Sequence, residues 1–371
     1  HARASRPVAA SGTRTFLIMR ENDISAALAE QVREHHAHKR PLVIRAGNSK
    51  LFYGHAIEAE PLDVREHAGI ISYEPTELVL TARCGTSLAG IESVLRENHQ
   101  MLGFEPPHFA DSATLGGSIA SGLSGPRRPY SGSARDFVLG IRIINGKGEI
   151  LHFGGEVMKN VAGYDVARLM TGALGTLGVI LEVSLKVLPR PHAEQSVSLE
   201  LAETAAIAHM NKLAGQSLPL SAACYDDRQL YLRVCGSDAA VNAAVKQLGG
   251  EVLPGADTFW LRLREQTHAF FQTDKPLWRL SLAPATPPLP LKGKQLLDWG
   301  GAQRWLVTDE PAGTVRQRVT EHGGHATLFR AREGIASFHP LSGKLLELHK
   351  NLKRAFDPHG ILNPGRMYPQ L

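Results

Sequence analysis

Behind Asp23, a residue type that caps helix N-termini, the apolar positions Ile24, Leu28 and Val32 recur at helical spacing until Lys39-Arg40-Pro41 stops the pattern. A helix is predicted between those limits. The period then changes: Leu42-Val43-Ile44 is an unbroken apolar run ending at Ala46-Gly47-Asn48, the pattern of a buried strand entering a tight loop. A further strand is expected over 78–82. A helix is expected over 87–98, where Leu88, Ile91, Val94 and Leu95 share one face. Residues 137–144 and 149–153 flank Asn145-Gly146-Lys147-Gly148, which reads as a β-hairpin around an Asn-Gly turn. Residues 179–188 make another strong strand, closed by Pro189-Arg190-Pro191. Beyond that boundary come Ala-rich helical patterns near 202–214 and 238–248 and strand candidates near 230–234 and 278–282. A loop with four prolines follows at 283–291, and a last helix at 345–356.

Composition narrows this outline. A chain of 371 residues exceeds one ordinary core and should split into two or three packed units. No apolar run nears the roughly 18–20 residues that cross a bilayer, so a soluble, cytoplasmic protein is expected. The net charge of +5 comes from scattered Lys and Arg without a basic stripe interleaved with aromatics, which argues against nucleic acid. It fits an anionic substrate or cofactor, an acidic partner or a phospholipid surface. Cys84, Cys224 and Cys235 are far apart and form no Cys-x-x-Cys pair, so neither a disulfide scaffold nor a metal site held by this chain is expected. If electrons leave through an iron–sulfur cluster, another chain must carry it. Residues 1–18, with Arg3, Arg6 and Arg14 and no acid, have transit-peptide composition; they are read as an N-terminal extension or cloning remnant ahead of Met19.

Three segments carry candidate chemistry. Arg45-Ala46-Gly47-Asn48-Ser49-Lys50 follows a predicted strand, and its small residues, hydroxyl and ammonium suit a phosphate, although an ordinary strand-to-loop turn would read alike. It matches neither G-x-G-x-x-G nor the Walker pattern. The run from Asp111 through Thr114-Leu115-Gly116-Gly117-Ser118-Ile119-Ala120 to Gly125 is rich in Gly, Ser and Ala, which lets a main chain lie against a flat or anionic ligand, or serve as a flexible linker. Lys159-Asn160-Val161-Ala162-Gly163-Tyr164-Asp165 and Gly175-Thr176-Leu177-Gly178-Val179-Ile180 form the third.

Together and in this order, the segments resemble the FAD-binding domain of the vanillyl-alcohol-oxidase and p-cresol-methylhydroxylase superfamily. Its pattern comprises a phosphate loop, T-[IL]-G-G-x-[IV]-A, G-Y-D, G-T-[LF]-G-[IV]-I and a C-terminal N-P-G-[KR], matched here at the end by Asn363-Pro364-Gly365-Arg366. The similarity covers about residues 40–190 and the last fifteen or so. Gly125-Pro126-Arg127-Arg128-Pro129, residues 154–165 and Asp298-Trp299-Gly300-Gly301-Ala302 further resemble the FAD-binding subunits of bacterial glycolate oxidases.

The resemblance implies an α+β fold with a two-subdomain FAD-binding domain at 19–190 and an α/β cap at 191–340. A C-terminal helix and tail, 341–371, would return to the flavin. It implies that Arg45, Ala46, Gly47, Asn48, Ser49 and Lys50 wrap the pyrophosphate and that Thr114, Gly116, Gly117 and Ser118 continue the cradle. Asp111, Leu115 and Ala120 of the same segment count among the cofactor-binding residues. Gly178, Val179 and Ile180 would line the adenosine or isoalloxazine, with Asn363 and Arg366 reaching in from the C-terminus. Relatives with covalent FAD often carry His in the phosphate loop where this chain has Asn48, so noncovalent FAD is expected.

The implied function is the FAD subunit of a multi-subunit glycolate dehydrogenase. It would oxidise glycolate, and D-lactate, to the 2-oxo acid with a second FAD subunit bearing the complete substrate site and an iron–sulfur subunit, with peripheral docking on the inner membrane. The alternative is a self-sufficient FAD-dependent D-2-hydroxy-acid dehydrogenase. Single-chain relatives carry a cap segment H-x-G-D-G-N-x-H that holds a metal and the substrate. Here the nearest string, Glu321-His322-Gly323-Gly324-His325-Ala326, lacks its Asp and Asn and reads as a Gly-rich turn. His35, His36 and His38 are expected to be solvated at a helix C-terminus, without a catalytic role. No catalytic base is assigned; Arg304 and Arg330 are candidate anion-binding residues, with an ordinary surface arginine as the alternative.

Overall fold

A computed structural model describes residues 22–155 and 165–371; the N-terminal extension and residues 159–164 of the third motif lie outside the described residues. Helix Ser25–His38 buries Leu28, Ala29 and Val32 on one face and stops where Lys39 turns left-handed, at φ 52°. The same face buries His35, against the expectation of a solvated imidazole. Its ring meets Arg40 O at 3.2 Å and Glu60 at 3.3 Å, because the helix lies over the strand that carries Glu60.

Strand Leu42–Arg45 pairs in parallel with Glu60–Asp63, and Leu42 forms a parallel bridge to Leu362, so the end of the chain comes back to its first strand. Beside this pair stands a five-stranded antiparallel sheet in the order Ile70–Glu74, Val79–Arg83, Val179–Lys186, Val138–Ile144, Ile150–Gly154. The expected hairpin is present. Asn145 closes it by accepting hydrogen bonds from the amides of Lys147 (2.9 Å) and Glu149 (3.0 Å), the local role that favours Asn in turns. Helix Leu88–Glu97 starts at Ser87, whose side chain accepts from Gly90 N at 3.1 Å, and buries Leu88, Ile91 and Leu95 as the spacing predicts. One core joins these elements, with Leu28, Leu80, Ile91, Leu115, Ile143, Val183 and Ile361 packed together.

A second, eight-stranded antiparallel sheet starts at Ala193, just past the Pro-x-Pro step. Its order is Glu251–Val252, Ala193–Glu200, Gln229–Gly236, Leu220–Asp226, Lys294–Asp298, Gln303–Val307, Leu277–Ser281, His325–Leu328. Helices Glu203–Ala214, Asp238–Leu248 and Ala312–Thr320 pack on it through their apolar stripes. A buried charge network seats this sheet on the first half of the chain. Glu105 accepts from Arg127 (3.1 Å) and Arg233 (2.9 Å), and Arg127 also pairs with Glu194 (2.5 Å). Burial would raise the Glu105 carboxyl, but the two guanidiniums hold it below its usual range.

Among the described residues no helix is long and apolar enough to cross a membrane.

Candidate cofactor site

The end of strand Leu42–Arg45, the Gly-rich helix Leu115–Ser121, the loop 174–180 and the C-terminal tail converge on one cleft of about 840 Å³, open to solvent on one side. That figure counts the space at the open mouth as well as the enclosed part. Every cofactor-binding residue expected from the sequence lines it except Asp111, Leu115, Ser118 and Val179. Leu115 and Val179 point into the core, and Asp111 is exposed on the loop before the helix. Ser118 is wholly buried and its hydroxyl has no hydrogen-bond partner among the described residues.

Close approach of backbones builds the cleft. A Cβ on Gly47 would sit 1.6 Å from Ser112 O, and Ser112 Oγ donates to Gly47 O at 2.6 Å, so the strand-end loop touches the Gly-rich segment with no room for a side chain. Asn48 is left-handed, at φ 57°, which turns the following residues across the cleft mouth. Among the described residues the amides of residues 47–50 donate to no protein acceptor, an arrangement that suits an anion. Thr114 caps the Gly-rich helix by accepting from Gly117 N at 3.3 Å, and Gly116 packs on Cys84 so closely that a Cβ would come within 2.6 Å of the Cys84 Cβ.

The tail completes the wall. Asn363 Oδ1 accepts from Ile44 N (2.8 Å), and its Nδ2 donates to Leu174 O (2.7 Å). Arg366 donates to His55 O (2.6 Å) and Leu51 O (3.2 Å), and His55 N returns a bond to Arg366 O (2.9 Å). Lys353 anchors the preceding helix by donating to Thr176 O, Leu362 O and Asp357.

The electrostatics have one sign. Arg45, Lys50 and Arg366 line the cleft, and among the described residues no Asp or Glu does. Burial lowers the Lys50 ammonium to about 8, only partly offset by Glu265. Burial, followed by repulsion from Arg45, lowers Arg366 to about 10. Such cations, with no carboxylate in the described lining, and the free amides fit a bound diphosphate, while Val43, Val64, Leu174 and Ile180 supply apolar wall for flat rings.

Other expectations resolve differently. Arg304 is fully buried and spends three of its N–H donors on the carbonyls of Gly301, Pro287 and Thr286, so it clamps the Pro-rich loop from inside the protein. Arg330 donates to Phe271 O at 3.2 Å. Glu321-His322-Gly323-Gly324 is the turn between helix Ala312–Thr320 and strand His325–Leu328, with Gly323 at φ 70°. The cleft residues not assigned from sequence include the apolar Val64, Cys84 and Leu174 and the polar Ser121; Leu174 and Ser121 lie in or beside the glycine motifs, whereas Val64 and Cys84 gave no local signal.

Residues 23–154 match the FAD binding domain family model, and residues 340–367 match that of the C-terminal domain of FAD linked oxidases. Over 354 residues the chain is 50% identical to the glycolate oxidase subunit GlcE of Escherichia coli K12, spanning 95% of this chain and 100% of that protein. The chain belongs to the GlcE family. The strand-end loop and the Gly-rich helix fall within the matched FAD binding domain and the tail within the matched C-terminal domain, and the cofactor of this GlcE-family member is FAD. More distant is the D-lactate dehydrogenase of Archaeoglobus fulgidus, 23% identical over 89% of this chain and 86% of that protein. The GlcD subunit of Bacillus subtilis is 30% identical over 43% of this chain and 34% of that protein. Among solved structures, alkyldihydroxyacetonephosphate synthase superposes with a TM-score of 0.64 over 91% of this chain and 74% of that one, at 15% identity; the GlcE-family chain shares that fold.

Proposed function

We propose that this chain is the FAD-carrying subunit of a multi-subunit glycolate dehydrogenase that converts glycolate, and D-lactate, to the 2-oxo acid and passes the electrons to an iron–sulfur partner. The observation that carries the reading is the cationic cleft, with no acid among its described lining residues, whose strand-end loop, Gly-rich helix and tail fall within the family-matched segments. In it, Arg45, Lys50 and the amides of residues 47–50 would hold the diphosphate. Thr114, Gly116 and Gly117 would continue the cradle, Gly178 and Ile180 would lie against a ring, and Asn363 and Arg366 would close the site from the tail.

When bound, FAD supplies two-electron uptake and one-electron release. The protein's own contribution is to neutralise the diphosphate, keep the loops at contact distance and exclude water from the apolar wall. Noncovalent attachment is supported by the described lining residues, among which there is no His or Tyr. The one cysteine there, Cys84, is buried with its thiol pushed up to about 12, so it is a poor nucleophile.

The relatives named as glycolate oxidase subunits support a partnership with a second flavin chain, and the lack of a Cys-x-x-Cys motif supports an iron–sulfur cluster carried elsewhere. The excess of basic residues suits an assembly resting on an anionic membrane surface from the cytoplasm. In this reading residues 19–190 form the FAD-binding domain, 191–340 the cap and 341–371 the returning tail.

The test is to purify the chain alone, record its flavin absorbance before and after acid denaturation, and add glycolate anaerobically with and without the partner subunits. Flavin released on denaturation, and bleached by glycolate only in the complex, is the expected result. Absence of flavin from the folded chain overturns the reading; bleaching by the lone chain replaces it with the self-sufficient dehydrogenase.

A further inference from the structure

Helix Gly343–Phe356 is held to the cofactor site at its C-terminal end and stands free at the other. Leu352 and Phe356 pack against the core around the five-stranded sheet. Between them the Lys353 ammonium donates to Thr176 O (2.8 Å) and Leu362 O (2.7 Å), the backbones of the loop and the tail that wall the cleft. Toward the N-terminus the same apolar stripe runs out of partners. Leu345 and Leu348 share a helical face with Leu352, yet they are 49% and 53% exposed. Among the described residues the other exposed large apolar side chains, such as Ile71, Val252 and Leu261, stand singly on separate segments.

The solvent side of this helix is basic. Lys344, Lys350 and Arg354 are exposed beside one acid, Glu347, and none of the four is in an ion pair with a described residue. Exposed leucines next to unpaired cations are the complement of an apolar recess edged with carboxylates. The patch also borders the cofactor site. His349, four residues on from Leu345 and so on the same side of the helix, has its ring centroid 6.1 Å from that of Tyr368, two residues beyond Arg366 of the cleft wall. A protein seated there lies beside the walls that hold the flavin, where a chain that takes electrons from the cofactor has to dock. A lipid surface fits less well. A helix lying in a bilayer interface needs its apolar face free along its length, and here the stripe is already committed to the core at Leu352 and Phe356.

We propose that Leu345 and Leu348, with Lys344 beside them, form the docking surface for the iron–sulfur partner, which meets them with an apolar recess edged by Asp and Glu. The inference rests on the proposed function for the existence of that partner, and adds where on this chain it binds.

Affinity of the flavin-loaded chain for the purified iron–sulfur subunit is measured by interferometry, and assembly of all the co-expressed subunits by mass photometry. The double variant Leu345→Ala/Leu348→Ala removes apolar surface while favouring the helix, and flavin absorbance and the unfolding midpoint establish that it is folded. It should bind the iron–sulfur subunit about tenfold more weakly or worse. Lys344→Glu should also weaken binding and flatten its salt dependence. Leu261→Ala, which trims a leucine 50% exposed on helix Ala256–Arg264, should change nothing. Unchanged affinity in the double variant, an equal loss in Leu261→Ala, or loss of the second flavin subunit in place of the iron–sulfur subunit overturns the site. So does wild-type binding to phosphatidylglycerol vesicles that the double variant loses while its subunit affinity stays. A flavin-loaded wild-type chain that assembles with no subunit fails the proposed function, whereas assembly that the double variant matches removes only the docking surface.

Discussion

Asn363 and Ile44 stand 319 positions apart in the chain and are joined by a 2.8 Å hydrogen bond from the Ile44 amide to Asn363 Oδ1. The same side chain donates to Leu174 O at 2.7 Å, and the Asn363 amide donates to Leu42 O at 3.0 Å. One residue thus ties the first strand, the loop 174–180 and the tail into a single wall. Only an amide offers an acceptor and a donor in that geometry. Asn363→Ala leaves the Ile44 amide and the Leu174 carbonyl buried and unpaired, at about 1–3 kcal/mol each. A lower urea midpoint and weaker flavin retention are expected. Asn363→Asp, which turns a carboxylate toward the Leu174 carbonyl, should be no better; an unchanged midpoint in both variants would refute the role.

Gly47 makes a prediction specific to the cofactor. In Gly47→Ala the new methyl must push the strand-end loop away from Ser112, and with it the amides of residues 47–50. Flavin retention should fall by about tenfold or more, equivalent to some 1.4 kcal/mol. Gly313→Ala serves as the control. It lies in a helix with nothing within 4 Å of its added Cβ, and should be neutral or stabilising by up to about 1 kcal/mol. Equal flavin content in the Gly47 variant and wild type, by absorbance ratio, would contradict the close-contact argument.

Sequence periodicity served best where an element is amphipathic and locally capped. Helix Leu88–Glu97, with Ser87 before it, and the hairpin around Asn145 fall within a residue or two of their expected limits. It served worst for strands such as Ala193–Glu200, whose Ala-Glu-Gln-Ser opening carries little alternation and which are held by their neighbours on both sides. The Gly-rich run folds as helix Leu115–Ser121 where propensity suggests loop, because Gly116 must pack on Cys84 and Leu115 and Ile119 enter the core. Nor could local pattern announce His35 or Arg304, since the groups that bury them, Glu60 and the Pro-rich carbonyls, come from other segments. The cofactor cleft was legible because glycine motifs state where backbones must approach.

Lys50 should make flavin affinity depend on pH. Without ligand its ammonium titrates near 8, below the ordinary 10.5, chiefly because it is buried. A diphosphate beside it would raise that value. Below pH 8 the free protein is already protonated and binding takes up no proton. Above pH 8 binding requires protonation, so affinity falls by up to about tenfold per pH unit until the bound-state value is reached. Flavin titrations at pH 7, 8 and 9.5 should show that decline in wild type and its loss in Lys50→Arg, whose guanidinium stays charged throughout. Parallel profiles for the two proteins would remove Lys50 from the diphosphate site.

Asp298 should shape the stability of the protein itself. Its carboxyl is raised from the ordinary 3.8 to about 7, first by burial and then by Glu105, against the pull of Trp299 N, Gln303 and Arg233. Below pH 4 both folded and unfolded chains hold this proton, and the group has no effect on the balance. Between about pH 4 and 7 the unfolded chain releases the proton while the folded chain keeps it, so stability declines as pH rises. Above pH 7 both states are ionised and the decline levels off. Asp298→Asn retains the acceptor for Trp299 N and can pair with Gln303 once that amide turns round, but it cannot titrate. Urea midpoints measured from pH 5 to 8 should therefore fall more steeply in wild type than in Asp298→Asn. Glu203 and Asp226, whose carboxyls burial also raises, tilt both curves alike and cancel in the difference. Two curves of the same slope would mean that Asp298 is ionised in the folded protein throughout, with its charge compensated by Arg233 or by an unrecognised partner.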